Sequence, residues 1–109
     1  MNMMKFETRK RIEILADRPF LREIRKVASD THATQFTVLA TIGGQNEKGF
    51  WHDDQVTGGA GSKIVFIALL QEETADRFLE ALAPLIEQYG LFVSVSDTKT
   101  VIPEPGKIN

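Results

Sequence analysis

Residues 63–70 read KIVFIALL, a lysine followed by seven apolar residues in a row. Four of those seven are Ile, Val or Phe, types that suit a pleated and packed surface. The run is too short to cross a bilayer. A strand covered on both faces has this composition, so 63–70 is expected in the middle of a sheet. Immediately upstream, Gly43 to Ser62 (GGQNEKGFWHDDQVTGGAGS) is rich in glycine and has no hydrophobic period. A stretch of about 20 residues without regular structure is long for a compact domain, and such loops usually carry function.

Further upstream, QFTVLATI (35–42) alternates, with Phe36, Val38, Ala40 and Ile42 on one face of a strand. RIEILA (11–16) is another strand, and Asp17 is placed to cap the helix after it. Pro19 suits a first helical turn, and Phe20, Leu21, Ile24, Val27 and Ala28 then recur at helical spacing. Downstream of 63–70, Thr74 is the expected cap of a second helix with Ala75, Phe78, Leu79, Leu82, Leu85 and Ile86 along one stripe. Pro84 should kink that helix, and Gly90 stands where a left-handed C-terminal cap belongs. Leu91 to Ile102 is the last strand, with an irregularity expected near Asp97, and Pro103 and Pro105 end its pairing.

The order β-α-β-β-α-β defines an α+β, ferredoxin-like antiparallel sheet with two helices on one face. Right-handed crossovers put the first and third strands in the middle. Leu15, Leu39, Val65, Ile67 and Leu69 do not all fit beneath two helices, so part of the open face is expected to meet another subunit.

The chain has 109 residues, which we read as one domain over 1–109. Apolar residues make up 42% and charged residues 26%, the balance of a globular protein. A formal net charge of −2 gives no general attraction to nucleic acid or to an anionic membrane. With no cysteine, disulfides, thiolate catalysis and zinc–thiolate sites are excluded. Met1 to Arg11 has no apolar run of the kind a signal peptide needs, so a cytoplasmic location is expected.

Within 43–62 several residues bear on function. Gly43-Gly44 offers backbone N–H groups to a phosphate, or else is a strand-exit turn. It is not a P-loop, because no Lys-Ser/Thr opens a helix after it. His52, Asp53 and Asp54 are weak metal-ligand candidates, since no second His or Cys is near; a solvated acidic turn is the alternative. Phe50 and Trp51 are large aromatics in a polar loop, which either dock a partner or fold back on the domain. No nucleophile–base arrangement involves His32 or His52, so no catalytic residue is assigned. The exposed aromatics of an RNA-recognition strand are missing from KIVFIALL.

Over Lys10 to Ile102 the sequence resembles the PII family of trimeric signalling proteins, specifically its carboxysome-associated PII-like branch. RIEILADRPF is similar to the family's opening strand and Pro-Phe. FTVLATIGGQNEKG resembles its Thr-Val strand leading to a glycine and Lys-Gly, which places Thr37, Gly43, Lys48 and Gly49. GLFVSVSDTKTVI resembles its Val-Ser-Val-Ser-Asp ending. The resemblance implies a homotrimer with inter-subunit clefts and identifies 43–62 with the T-loop, the arm that reaches partners. It makes Thr37 and Gly43 candidate nucleotide contacts, with Gly44 and Gly49 beside them, and Lys48 and Lys63 candidate partners of phosphate charge. The family's phosphate loop is replaced by Gln88-Tyr89-Gly90, and Pro103 and Pro105 stand where its terminal arginines would. A small anionic effector is therefore implied, ADP, AMP or bicarbonate. A non-enzymatic regulator of a protein target, a membrane transporter or a carbon-metabolism protein, follows from the same resemblance. The alternative is a metal-responsive trimer using the loop His and Asp residues.

Overall fold

The structure is a computed structural model and describes residues 4–52 and 62–103. Its elements are β1 (Met4–Asp17), a 3₁₀ turn (Arg18–Phe20), α1 (Leu21–Asp30), β2 (Phe36–Ala40), β3 (Gly43–Asn46), β4 (Gly49–His52), β5 (Lys63–Leu70), α2 (Glu72–Tyr89) and β6 (Phe92–Pro103). Four strands form one sheet in the order β2-β5-β1-β6, and β3 and β4 form a separate ribbon. Both β1 pairings and the β2–β5 pairing are antiparallel. The PII-like and ferredoxin-like order expected from the sequence is the one found, with β1 and β5 central.

One core joins both helices to the same sheet face. Ile12, Ile14 and Ala16 of β1 and Ile64, Phe66, Ala68 and Leu70 of β5 are buried with Ile24 and Ala28 of α1 and Ala75, Phe78 and Leu82 of α2. Phe66 is the centre of its packing: its ring stacks at 4.6 Å on Phe36 and 5.9 Å from Phe78, linking β2, β5 and α2. At the other end of the helices Phe20 stacks on Tyr89 at 4.2 Å, locking α1 to α2. Aromatic pairs of this kind add to area burial because offset stacking matches the ring quadrupoles.

Several local expectations need correction. KIVFIALL is central but is fully buried on one face only: Lys63, Val65, Ile67 and Leu69 are half-exposed on the side away from the helices. Asp17 makes no side-chain cap; its carboxylate is engaged by Lys63 instead. Thr74 lies inside α2, whose N-cap is Gln71, so the helix begins two residues before it. The helix runs continuously through exposed Pro84 from Glu72 to Tyr89 instead of being interrupted there. Around Asp97 the β1–β6 register runs on unbroken, and Asp97 opposes Lys10 with a 2.6 Å ion pair. Phe36 and Val38 of β2 pack against the core, but Ala40 and Ile42 are exposed. Gly90 is the left-handed cap the sequence indicates (φ 64°), its N–H donating to the Ile86 carbonyl.

The 43–62 segment is the largest departure. Part of it is regular: β3 and β4 pair from Gly43–His52 to Asn46–Gly49 around a two-residue turn, Glu47-Lys48. The Asn46 side chain accepts from the Lys48 N–H at 2.9 Å, an Asx turn, which replaces the missing hydrophobic period as the organiser of the ribbon.

Candidate functional site

At the end of the sheet where β1 stops and β6 starts, the ribbon tip leans over the body and closes a cleft of about 310 Å³. Asp17 and Phe20 come from the end of β1 and the 3₁₀ turn, Lys48 from the ribbon tip, Lys63 from the start of β5, and Tyr89 and Phe92 from the α2–β6 junction. The short Tyr89-Gly90-Leu91 link, tightened by the Gly90 cap, is what leaves this space open.

Lys63 is its most firmly held charge. Asp17 and Lys63 are cross-strand partners, and Lys63 Nζ donates to Asp17 Oδ1 at 2.5 Å. The same ammonium stands 5.3 Å from the centroid of the Trp51 ring, within cation–π reach. Trp51 is itself fixed: its Nε1–H donates to Thr41 Oγ1 at 3.0 Å, and that hydroxyl donates to the Lys63 carbonyl at 2.8 Å. The indole lies flat against Gly44, where any β-carbon would overlap its six-membered ring. Strand β5 is anchored at the same point by Arg18, whose Nε donates to the buried Ser62 hydroxyl at 2.9 Å. Tyr89 donates its hydroxyl to Glu23 at 3.3 Å, which raises its pKa above the ordinary 10.0 through that hydrogen bond, then desolvation.

Of the residues singled out in the sequence, Lys48 and Lys63 meet in the cleft, 15 positions apart in the chain, and Gly49 ends the turn that presents Lys48. Gly43 and Gly44 are in the ribbon's first strand rather than in the cleft lining, and Thr37 is exposed on β2. Phe50 is 84% exposed, whereas Trp51 is half-buried against its own ribbon. His52 closes β4; Asp53 and Asp54 lie outside the described residues, among which no group of three metal-ligating side chains occurs. No sequence signal marks Asp17 or Thr41 as part of a site, and Tyr89 is marked only by standing where the resembled family has its phosphate loop. Their part depends on cross-strand register and on the α2–β6 junction, neither of which leaves a local motif.

Chemically the cleft lining carries two ammonium groups, Lys48 and Lys63, and two carboxylates, Asp17 and Glu47, of which Lys63 and Asp17 form an ion pair, and it holds no nucleophile–base pair among its described lining residues. It is suited to holding an anion through exchange of ion-pair partners rather than through a ring of unopposed positive charge. No helix among the described residues is long and apolar enough to cross a membrane.

No family model matches the chain, and no curated protein matches it by sequence. Solved structures do match it in fold. CPII from Thiomonas intermedia K12, a nitrogen regulatory PII-like protein, bound to ADP, AMP and bicarbonate, superposes with a TM-score of 0.78 at 20% identity, covering 88% of this chain and 91% of that one. The apo form of CPII gives 0.72 at 22% identity over 93% of this chain and 100% of that one. A PII-like signaling protein from Thermus thermophilus gives 0.67 at 16% identity over 88% and 91%. The chain is thus an antiparallel ferredoxin-like protein by topology. More narrowly, its fold is PII-like.

Proposed function

We propose that this protein is a non-enzymatic PII-like regulator that binds a small anionic metabolite in the Lys48–Lys63 cleft and acts on a partner through residues 43–62. The presence of Lys48 from the ribbon tip and Lys63 from the start of β5 in one cleft carries the reading, because it places positive charge where the arm lies against the body. The structural neighbour with ADP, AMP and bicarbonate bound supports adenine nucleotide or bicarbonate as the effector class. Lacking the family's phosphate loop and terminal arginines, the cleft suits ADP or AMP better than a longer polyphosphate.

A homotrimer is the assembly we assign. The register aligns Leu39, Val65, Leu15 and Phe92 in one apolar row across all four strands, on the face that the helices leave open. Leu39 is 48% and Phe92 69% exposed in the single chain, an apolar band that a neighbouring subunit would cover. The exposed Phe50 is then the first residue of the ribbon to test at a target surface.

Calorimetric titration with ADP, AMP and bicarbonate, together with light scattering for mass, tests the reading. Saturable heat from at least one effector and a trimeric mass are expected. No heat from any of the three would sink it.

A further inference from the structure

Lys63 belongs to two structures at once, the cleft and the Trp51 pin of the ribbon. From that we infer that Asp17 is a tethered competitor for the cleft's anion, and that the exchange of Lys63 from Asp17 to the ligand releases the ribbon at Trp51. The inference rests on the anion-binding reading above and adds to it how occupancy of the cleft would be felt by the arm.

A lysine ammonium has three N–H groups and no acceptor capacity, and it sits on a flexible stem. One donor of Lys63 is held by Asp17 at 2.5 Å, and the remaining positive surface is turned toward the Trp51 ring at 5.3 Å. Asp17 is half-exposed (49%) and caps no helix, so its carboxylate can move away into solvent. An anion arriving between Lys48 and Lys63 meets a carboxylate already in place. Like charges repel at this range, so the ligand takes Lys63 by displacing Asp17 rather than by joining it.

Re-aiming the ammonium into the cleft takes it off the indole. Trp51 then keeps only its Nε1–Thr41 hydrogen bond and its packing on Gly44. What is lost is the direct tie between the ring and the Lys63 ammonium, and the remaining link to β5 runs only through the Thr41 hydroxyl and the Lys63 carbonyl. Coupling through a shared residue is reciprocal: whatever loosens Trp51 must tighten the anion by the same factor.

The chain has a single tryptophan, so its emission reads the pin directly. Calorimetry with ADP, inorganic phosphate and bicarbonate is run in parallel with Trp51 fluorescence. In the native protein, heat and emission change are expected to saturate at the same concentration. Asp17→Asn should bind the same probe about two- to fivefold tighter, the range of an exposed ion pair removed as competitor. Trp51→Leu should also bind tighter, about two- to fivefold, by freeing Lys63 from the ring. Lys63→Gln should lose most of the heat and all of the emission response. Heat with no change of emission in the native protein, or an Asp17→Asn variant that binds no tighter, would overturn the inference and leave the anion-binding reading intact. No heat with any probe in the native protein would overturn both.

Discussion

The indole of Trp51 occupies the volume that a side chain on Gly44 would need. The two are cross-strand partners in the β3–β4 ribbon, so every atom added at Gly44 meets the ring face. Gly44→Ala should therefore expel Trp51, at a cost to the ribbon of about 1–3 kcal/mol, the usual range for overpacking. A red-shifted, solvent-like Trp51 emission with a nearly unchanged thermal midpoint is the expected result. Native emission from the variant would show that the ring does not rest on Gly44.

Phe78 bears on the stability of the body. It is fully buried and is part of the Phe36–Phe66–Phe78 stack that ties β2, β5 and α2 together. Phe78→Ala should cost about 3–5 kcal/mol, by lost transfer energy and the cavity left behind. Urea denaturation of the variant measures it, and a loss below about 1 kcal/mol would contradict the packing described.

The α2 cap makes a smaller and more local prediction. Gly90 holds φ 64° with nothing near its would-be β-carbon, so the penalty for alanine is conformational and not steric. Gly90→Ala should lower stability by about 1 kcal/mol. Gly90→Asn, which tolerates the left-handed region better, should lose less; equal losses from the two variants would argue against the cap.

Lys48 tests the cleft without touching the core. Its side chain is exposed at the ribbon turn, and only its backbone N–H is engaged, by Asn46. Lys48→Ala should weaken ADP or bicarbonate binding about two- to fivefold, as expected for one solvent-screened charge contact, and leave the melting midpoint in place. Unchanged calorimetry would remove Lys48 from the site.

Two described groups contribute to the alkaline side of the stability profile. Lys10 is raised above its ordinary 10.5 by its hydrogen bond to Asp97 and that carboxylate's charge, and Tyr89 is raised above 10.0 by its bond to Glu23. In both cases the folded state holds the proton more tightly than the unfolded chain does. The stability from each is full below the ordinary value and is lost as pH rises through the raised one. Denaturation midpoints should therefore fall above about pH 10, and the fall should flatten in Lys10→Met and Tyr89→Phe. Identical alkaline profiles in native and doubly substituted chains would refute it.

What the sequence discloses depends on how local the cause is. KIVFIALL, the α2 stripe and Gly90 are local patterns with one physical solution, and they lead to the observed strand order. The β3–β4 ribbon escapes such reading because GGQN has no apolar period; its organisers are an Asx turn at Asn46 and the Gly44–Trp51 contact. Asp17 is misread for a related reason. An aspartate before Pro19 has the look of a helix cap, yet the cross-strand register sets it against Lys63, and an ammonium outcompetes a backbone N–H. The cleft is half legible: Lys48 and Lys63 are marked by resemblance, while Phe20 and Tyr89 reach it only through α1–α2 packing.

The placement of β1 also bears on how the chain is made. β1 is made well before its neighbours β5 and β6, and Lys10 waits 87 residues for Asp97. Until β5 is made Ile12, Ile14 and Ala16 have no sheet partner, and the nascent chain carries an uncovered apolar segment. Long-range pairing of this kind slows folding, and the four-stranded sheet is complete only once β6 has emerged. A ribosome stalled before β6 would hold a chain whose central strand is satisfied on one edge at most.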